Sequence, residues 1–108
     1  MNNCPTCGYD EKKGFAECEN KTLIPGESVL SEATRIVDGP WQDNYGHPKV
    51  NLKRIADLWS VVFDREITPQ QVALCLIQLK VAREIHHPRR DNMVDIAGYA
   101  RVMEMLSE

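Results

Sequence analysis

Apolar residues recur at helical spacing from Glu27 onward, and before Gly26 they do not. Val29, Leu30, Ala33, Ile36 and Val37 fall at i, i+1, i+4, i+7 and i+8, a single stripe that predicts a first helix, which Gly39-Pro40 ends. Pro48 opens a second helix in its first turn, where the missing N–H costs nothing. Leu52, Ile55, Ala56, Leu58, Trp59, Val62 and Phe63 give it a broad apolar face, with Trp59 read as core. Thr68-Pro69-Gln70-Gln71 is an N-cap, a proline and a glutamine at the capping-box position, so a third helix starts there. Its expected buried stripe is Val72, Cys75, Leu76, Leu79 and Ala82, which makes Cys75 a small core residue rather than a ligand. His86-His87-Pro88 closes it. A fourth helix, capped by Asp91 or Asn92, carries Val94, Ile96, Ala97, Tyr99, Val102, Met103 and Leu106 nearly all round. That distribution predicts burial on two sides, one inside the protomer and one against another chain. Gly98 in mid-helix is expected to permit a close helix–helix approach. The fold class is all-α: a small four-helix domain over 27–108, preceded by an irregular segment over 1–26.

Two stretches do not fit the helical period. Residues 41–48, WQDNYGHP, read as a polar and aromatic loop. Tyr45 could stack on a base, His47 meet a phosphate, and Gly46 let the backbone approach closely. Equally, the aromatics could simply cover the core, the reading favoured for Trp41. Residues 1–26 hold Cys4, Cys7 and Cys18. Cys4-Pro5-Thr6-Cys7-Gly8 has zinc-knuckle spacing, and Cys18 follows at the distance of a short hairpin return. A four-cysteine ribbon would need a cysteine where Lys21 stands. A fourth zinc ligand would then come from His47, His86, His87, Asp10, Glu17 or a neighbouring chain. Zinc held by thiolates in this way is structural; the competing reading is a degenerate knuckle without metal.

Composition narrows the functions. The chain has 108 residues and 43% hydrophobic content, enough for one small globular domain. A net charge of −3 argues against general nucleic-acid binding through charge. No apolar run is long enough to span a membrane and the N-terminus is not a signal peptide, which points to the cytosol. There the cysteines are thiols or metal ligands before they are disulfides.

Against that acidic background, residues 80–90 are locally basic: Lys80, Arg83, Arg89 and Arg90 face the single acid Glu84. Lys80 and Arg83 are three apart and are expected to reach one anion together. Asp91 and Asp95 are four apart and share a helical face. Cations beside paired carboxylates suit a phosphate-bearing ligand, with or without a metal ion; a solvated helix end with a capping aspartate is the plainer alternative.

NYGHPKVNLKRIADLWSVVF and TPQQVALCLIQLKVAREIHHPRRDNMVDIAGYA together resemble an uncharacterised all-helical domain family of bacteriophages and prophages. Its members show a YGHP-like loop, a TPxQVALxxIxLKxAR helix and a DxxVDIAGYA helix, matched here over about residues 29–106. The resemblance implies a small helical protein acting in the bacterial host cytosol. It marks Tyr45, Gly46, His47, Lys80, Arg83, Asp91, Asp95, Gly98 and Tyr99 as positions of its pattern. A fainter similarity runs to MazG-like nucleotide pyrophosphohydrolases, which hold magnesium on clustered acids of two helices. Only Asp91 and Asp95 match; the run of glutamates on an earlier helix is missing, and Glu27 and Glu32, five apart, replace it poorly.

Three functions follow as expectations. The leading one is a homo-oligomeric protein that binds a nucleotide-like phosphate ligand without turnover, and in a phage setting could sequester a host nucleotide immune signal. Its ligand residues are Tyr45, His47, Lys80, Arg83, Arg90, Asp91 and Asp95, with no catalytic residue. The second adds magnesium at Asp91 and Asp95 and makes the protein a pyrophosphohydrolase. The third is an adaptor whose zinc knuckle, with Cys4, Cys7 and Cys18 as metal ligands, grips a host protein.

Overall fold

The computed structural model describes residues 24–108. Five helices follow in order: α1 (Val29–Asp38), α2 (Pro40–Tyr45), α3 (Pro48–Phe63), α4 (Pro69–His86) and α5 (Arg90–Leu106). Among the described residues there is no strand, and no helix is long and apolar enough to cross a membrane. The expected knuckle ligands Cys4, Cys7 and Cys18 lie outside the described residues.

The helix starts obey local chemistry. Ser28 Oγ accepts the Ser31 N–H at 3.1 Å to open α1. At α4, Thr68 Oγ1 accepts the Gln71 N–H at 3.1 Å and Gln71 Oε1 accepts the Thr68 N–H at 2.9 Å, the reciprocal box expected from the sequence. Ser60 secures the α3–α4 turn: its hydroxyl donates to the Ala56 carbonyl at 2.7 Å and accepts the Ile67 N–H at 2.8 Å.

The segment expected as a loop is in part helical. Pro40 takes the first position of α2 with its φ already fixed, and the Gly39 carbonyl accepts the Asp43 N–H at 3.1 Å. So short a helix has no room for an apolar period, since Trp41 alone turns inward. Gly46, at φ +82°, then breaks the chain towards α3.

α5 lies between α1 and α4. Glu32 meets Arg90 and Asp38 meets Arg101, so the start of α1 faces the start of α5 and their ends also match: the two run parallel. Lys80 meets Asp95 and Glu84 meets Asn92, so α4 runs antiparallel to α5. One core cluster joins Val37, Leu52, Ala56, Val72, Ala73 and Val102; a second joins Ala33, Ile36 and Val94. The apolar sides of α5 are thus covered by α1 and α4 of the same chain, and no second chain is needed to explain them. Gly98 does mark a close approach, though an internal one: a Cβ there would lie 3.1 Å from Trp41 Cη2 and 3.2 Å from Val37 Cγ2. The Trp41 ring also packs on Tyr99, with centroids 5.4 Å apart.

Cys75 is exposed, contrary to its expected place in the core stripe. α4 is apolar on more than one face, and the face that packs is centred on Val72, Ala73 and Leu76. Leu79 and Ala82 turn outward with Cys75. A stripe read from one helix cannot choose between two apolar faces; the neighbouring helices choose.

Candidate functional site

The α1–α4–α5 seam gathers most of the charged residues singled out by sequence. Lys80 Nζ stands 2.8 Å from Asp95 Oδ2, with the two side chains 13% and 15% exposed. The lysine is drawn inward because its position on α4 continues the packed face of Val72 and Leu76. Arg83, three residues on, is exposed, so the two cations diverge instead of meeting at one point.

Asp91 lies one turn before Asp95. Burial, and then the neighbouring Asp95 carboxylate, push its carboxyl up to about 7, while Lys80 and Arg89 pull the other way. Asp91 therefore exchanges its proton near neutrality.

Arg90 reaches across to α1. Its Nε and Nη2 donate to Glu32 Oε1 at 3.2 and 2.8 Å, and Nη2 also donates to the Glu27 carbonyl at 2.8 Å. Glu32 is 4% exposed at its side chain. Its negative charge adds to the pressure on Asp91. Glu27 itself holds Arg35 through two contacts of 2.7 and 3.0 Å, and the hydrogen bond from that guanidinium lowers the Glu27 carboxyl.

The start of α5 is organised from α4 rather than by its own residues. Neither Asp91 nor Asn92 caps it, and the N-cap Arg89 makes no side-chain capping bond. Glu84 Oε1 instead accepts the Arg89 N–H and the Asn92 Nδ2–H, both at 3.0 Å. Those bonds, the backbone one first, hold the Glu84 carboxyl low. Asn92 also donates to the His87 carbonyl at 3.3 Å, which fixes the α4–α5 corner.

Tyr45 and His47 stand elsewhere. His47 Nδ1 accepts the Lys49 N–H at 3.1 Å and caps α3, while Lys49 Nζ donates to the Glu108 carbonyl at the far end of α5. Trp41, four residues before Tyr45, packs at Gly98 and Tyr99. Gly98 is about 10 Å along α5 from Asp91 at 1.5 Å rise per residue, and Tyr45 and His47, between Trp41 and Lys49 in sequence, stand from there towards the C-terminal end of that helix.

The structure thus brings together Lys80, Arg90, Asp91 and Asp95, with Arg83 at the rim, and leaves Tyr45 and His47 at the other end. Sequence reasoning named Glu32 only as a poor metal-site substitute and Glu84 only as the lone acid of the basic run, and gave neither a place in the site. Glu32 had a readable signal: it lies one residue before Ala33 and four before Ile36, inside the apolar stripe of α1. Glu32 already holds Arg90 and Asp95 already holds Lys80, and among the described residues no group of three His, Cys, Asp or Glu side chains could hold a metal ion.

The fold and seam define a small all-helical domain with a charged, partly buried helix-pair surface. Residues 28–107 match the family model described as domain of unknown function DUF6378, and the chain belongs to that family. It is similar to the Gene 55 protein of Mycobacterium phage D29, 42% identical over 85 residues that cover 76% of this chain and 55% of that protein. It is also similar to the Gene 55 protein of Mycobacterium phage L5, 43% identical over 82 residues, 73% of this chain and 52% of that protein. The chain spans about half the length of these curated relatives. No solved structure matches. The resemblance to a phage family is therefore shown, whereas the likeness to pyrophosphohydrolases stands on Asp91 and Asp95 alone.

Proposed function

We propose that this chain is a phage-type binding protein that takes a nucleotide-like, phosphate-bearing ligand at the start of α5 and does not transform it. The observation that carries the reading is the basic first turn of this 17-residue helix, which Arg89 and Arg90 flank and whose N-cap makes no side-chain capping bond of its own. The positive end of the helix dipole favours an anion there, beside the Glu84 carboxylate that already takes the Arg89 N–H. Arg83 stands exposed on the last turns of α4 as a further partner for phosphate. Lys80 is engaged by Asp95 and so offers the ligand little net charge. Asp91 in its protonated form withdraws the negative charge that would repel the ligand, so binding strengthens as pH falls through about 7. Tyr45 and His47 are not partners of the same phosphate in this reading.

The test is calorimetric titration of the chain with a panel of nucleotides and inorganic phosphate. Arg83→Glu, a change at an exposed position, should weaken binding at least about tenfold with the far-UV spectrum unchanged. Equal affinity in wild type and variant would remove this site.

Glu32 gives the hydrolase reading one supporting observation, because it places an acid of an earlier helix beside Asp91. The cations already on Glu32 and Asp95 weigh against it. Pyrophosphate released from a nucleotide panel with magnesium, and lost in Asp95→Asn, would reverse that order.

A further inference from the structure

α3 and α4 each supply the core from one face and leave a second apolar face uncovered. On α3, Leu58, Val61 and Val62 recur at i, i+3 and i+4 and are 62%, 80% and 76% exposed. Val50 extends that exposed apolar surface towards the start of the helix, while Phe63, on the side of Leu52 and Ala56, lies off it. On α4, Leu74, Val81 and Ile85 stand exposed on the side away from Val72 and Ala73. A helix apolar on two sides is buried on two sides.

The area is what decides the matter. The exposed apolar residues on this face of α3 present on the order of 500 Å², and those of α4 raise this to roughly 800 Å², against about 800 Å² per partner in a standard stable interface. A soluble monomer rarely leaves a contiguous apolar patch above a few hundred Å².

We propose that a second copy of this chain covers this face, with α3 packed antiparallel on α3 of the copy about a two-fold axis near Val61. The charges flanking the stripe are self-complementary under that operation. Arg54 stands exposed in the first half of α3, where Lys53 is paired with Asp57 at 2.9 Å, and Asp64 and Glu66 stand exposed on either side of Arg65 just past its end. Antiparallel pairing lays the Leu58–Val61–Val62 turn of each copy on that of the other. It also sets Arg54 of each helix opposite Glu66 of its mate, and a two-fold axis makes each contact twice. The interface lies on α3 and α4, not on α5, and does not depend on the ligand reading.

Sedimentation equilibrium on the full chain, from about 1 to about 100 μM, reads the result directly. The wild type should be a dimer. Leu58→Glu/Val61→Glu should weaken it at least roughly 100-fold, because two carboxylates per chain enter an apolar seam. Both positions are exposed, so helicity should be unchanged; Val62→Lys, on the same turn, should act alike. Arg54→Glu should weaken the dimer and Arg54→Glu/Glu66→Arg restore it. A monomeric wild type at the highest concentration, or a Leu58→Glu/Val61→Glu variant as dimeric as wild type, overturns the proposal. Failure of the charge swap to restore association overturns the antiparallel pairing.

Discussion

Lys80 Nζ and Asp95 Oδ2 are 2.8 Å apart across the α4–α5 seam, and both side chains are largely withdrawn from water. A pair so placed is held by mutual need: each charge is costly without the other, while the pair as a whole adds little over a well-packed apolar substitute. Lys80→Met should destabilise the fold by about 3 kcal/mol, and Asp95→Leu by about as much. The double variant Lys80→Met/Asp95→Leu should recover most of the loss. Chemical denaturation of the four proteins closes the cycle, and losses that simply add would show that the two residues do not act as a pair.

Gly98 meets Trp41 and Val37 where a methyl group would stand. Alanine gains about 1 kcal/mol of helix propensity over glycine, and overpacking costs typically 1–3 kcal/mol. Two of the crowding atoms belong to an indole wedged against Tyr99, and the third to the fully buried Val37, so neither neighbour yields easily. Gly98→Ala should therefore be destabilising by about 1 kcal/mol, and a Trp41→Leu background should abolish that penalty. Thermal melts of the four combinations measure it.

Those two pairs mark what a linear reading reaches. The helix starts were legible because their signals are local: Pro48 in a first turn and the Thr68–Gln71 box need no tertiary partner. Asp91 and Asp95 were legible as neighbours for the same reason, being one helical turn apart. Cys75 was misplaced because α4 offers two apolar faces and only the position of α3 and α5 selects between them. Lys80 and Arg83 were expected to act together, yet one lies on the packed side of the helix and the other on the open side. The separation of His47 from Asp91 depends on α1 running parallel to α5, a global fact that no spacing encodes.

The α3–α4 turn gives a local test. Ser60 Oγ satisfies the Ile67 N–H and returns its own proton to Ala56. Ser60→Ala leaves that amide without its partner, at a cost of about 1–2 kcal/mol. Amide exchange should localise the change: Ile67 should exchange faster while Val94, on the other side of the molecule's core, keeps its protection at mild denaturant. Unchanged exchange at Ile67 would mean the hydroxyl does not hold the turn.

Asp91 sets the pH dependence of stability. Its folded-state carboxyl titrates at about 7 against an ordinary 3.8, so between these values the folded chain binds more protons than the unfolded one. The contribution of this group is thus fully present below about 3.8 and is lost as pH rises through 7, the reverse of a carboxylate held low such as Glu84. Asp91→Asn removes the titration. It should stabilise the chain relative to wild type by about 1–2 kcal/mol at pH 8, after allowance for solvent screening of a half-exposed group, and by almost nothing at pH 4. The difference between the two denaturation midpoints should open progressively from pH 4 to 7 and stay constant above. A difference independent of pH would show that Asp91 ionises normally, and with it would go the proton-linked part of anion binding at the start of α5.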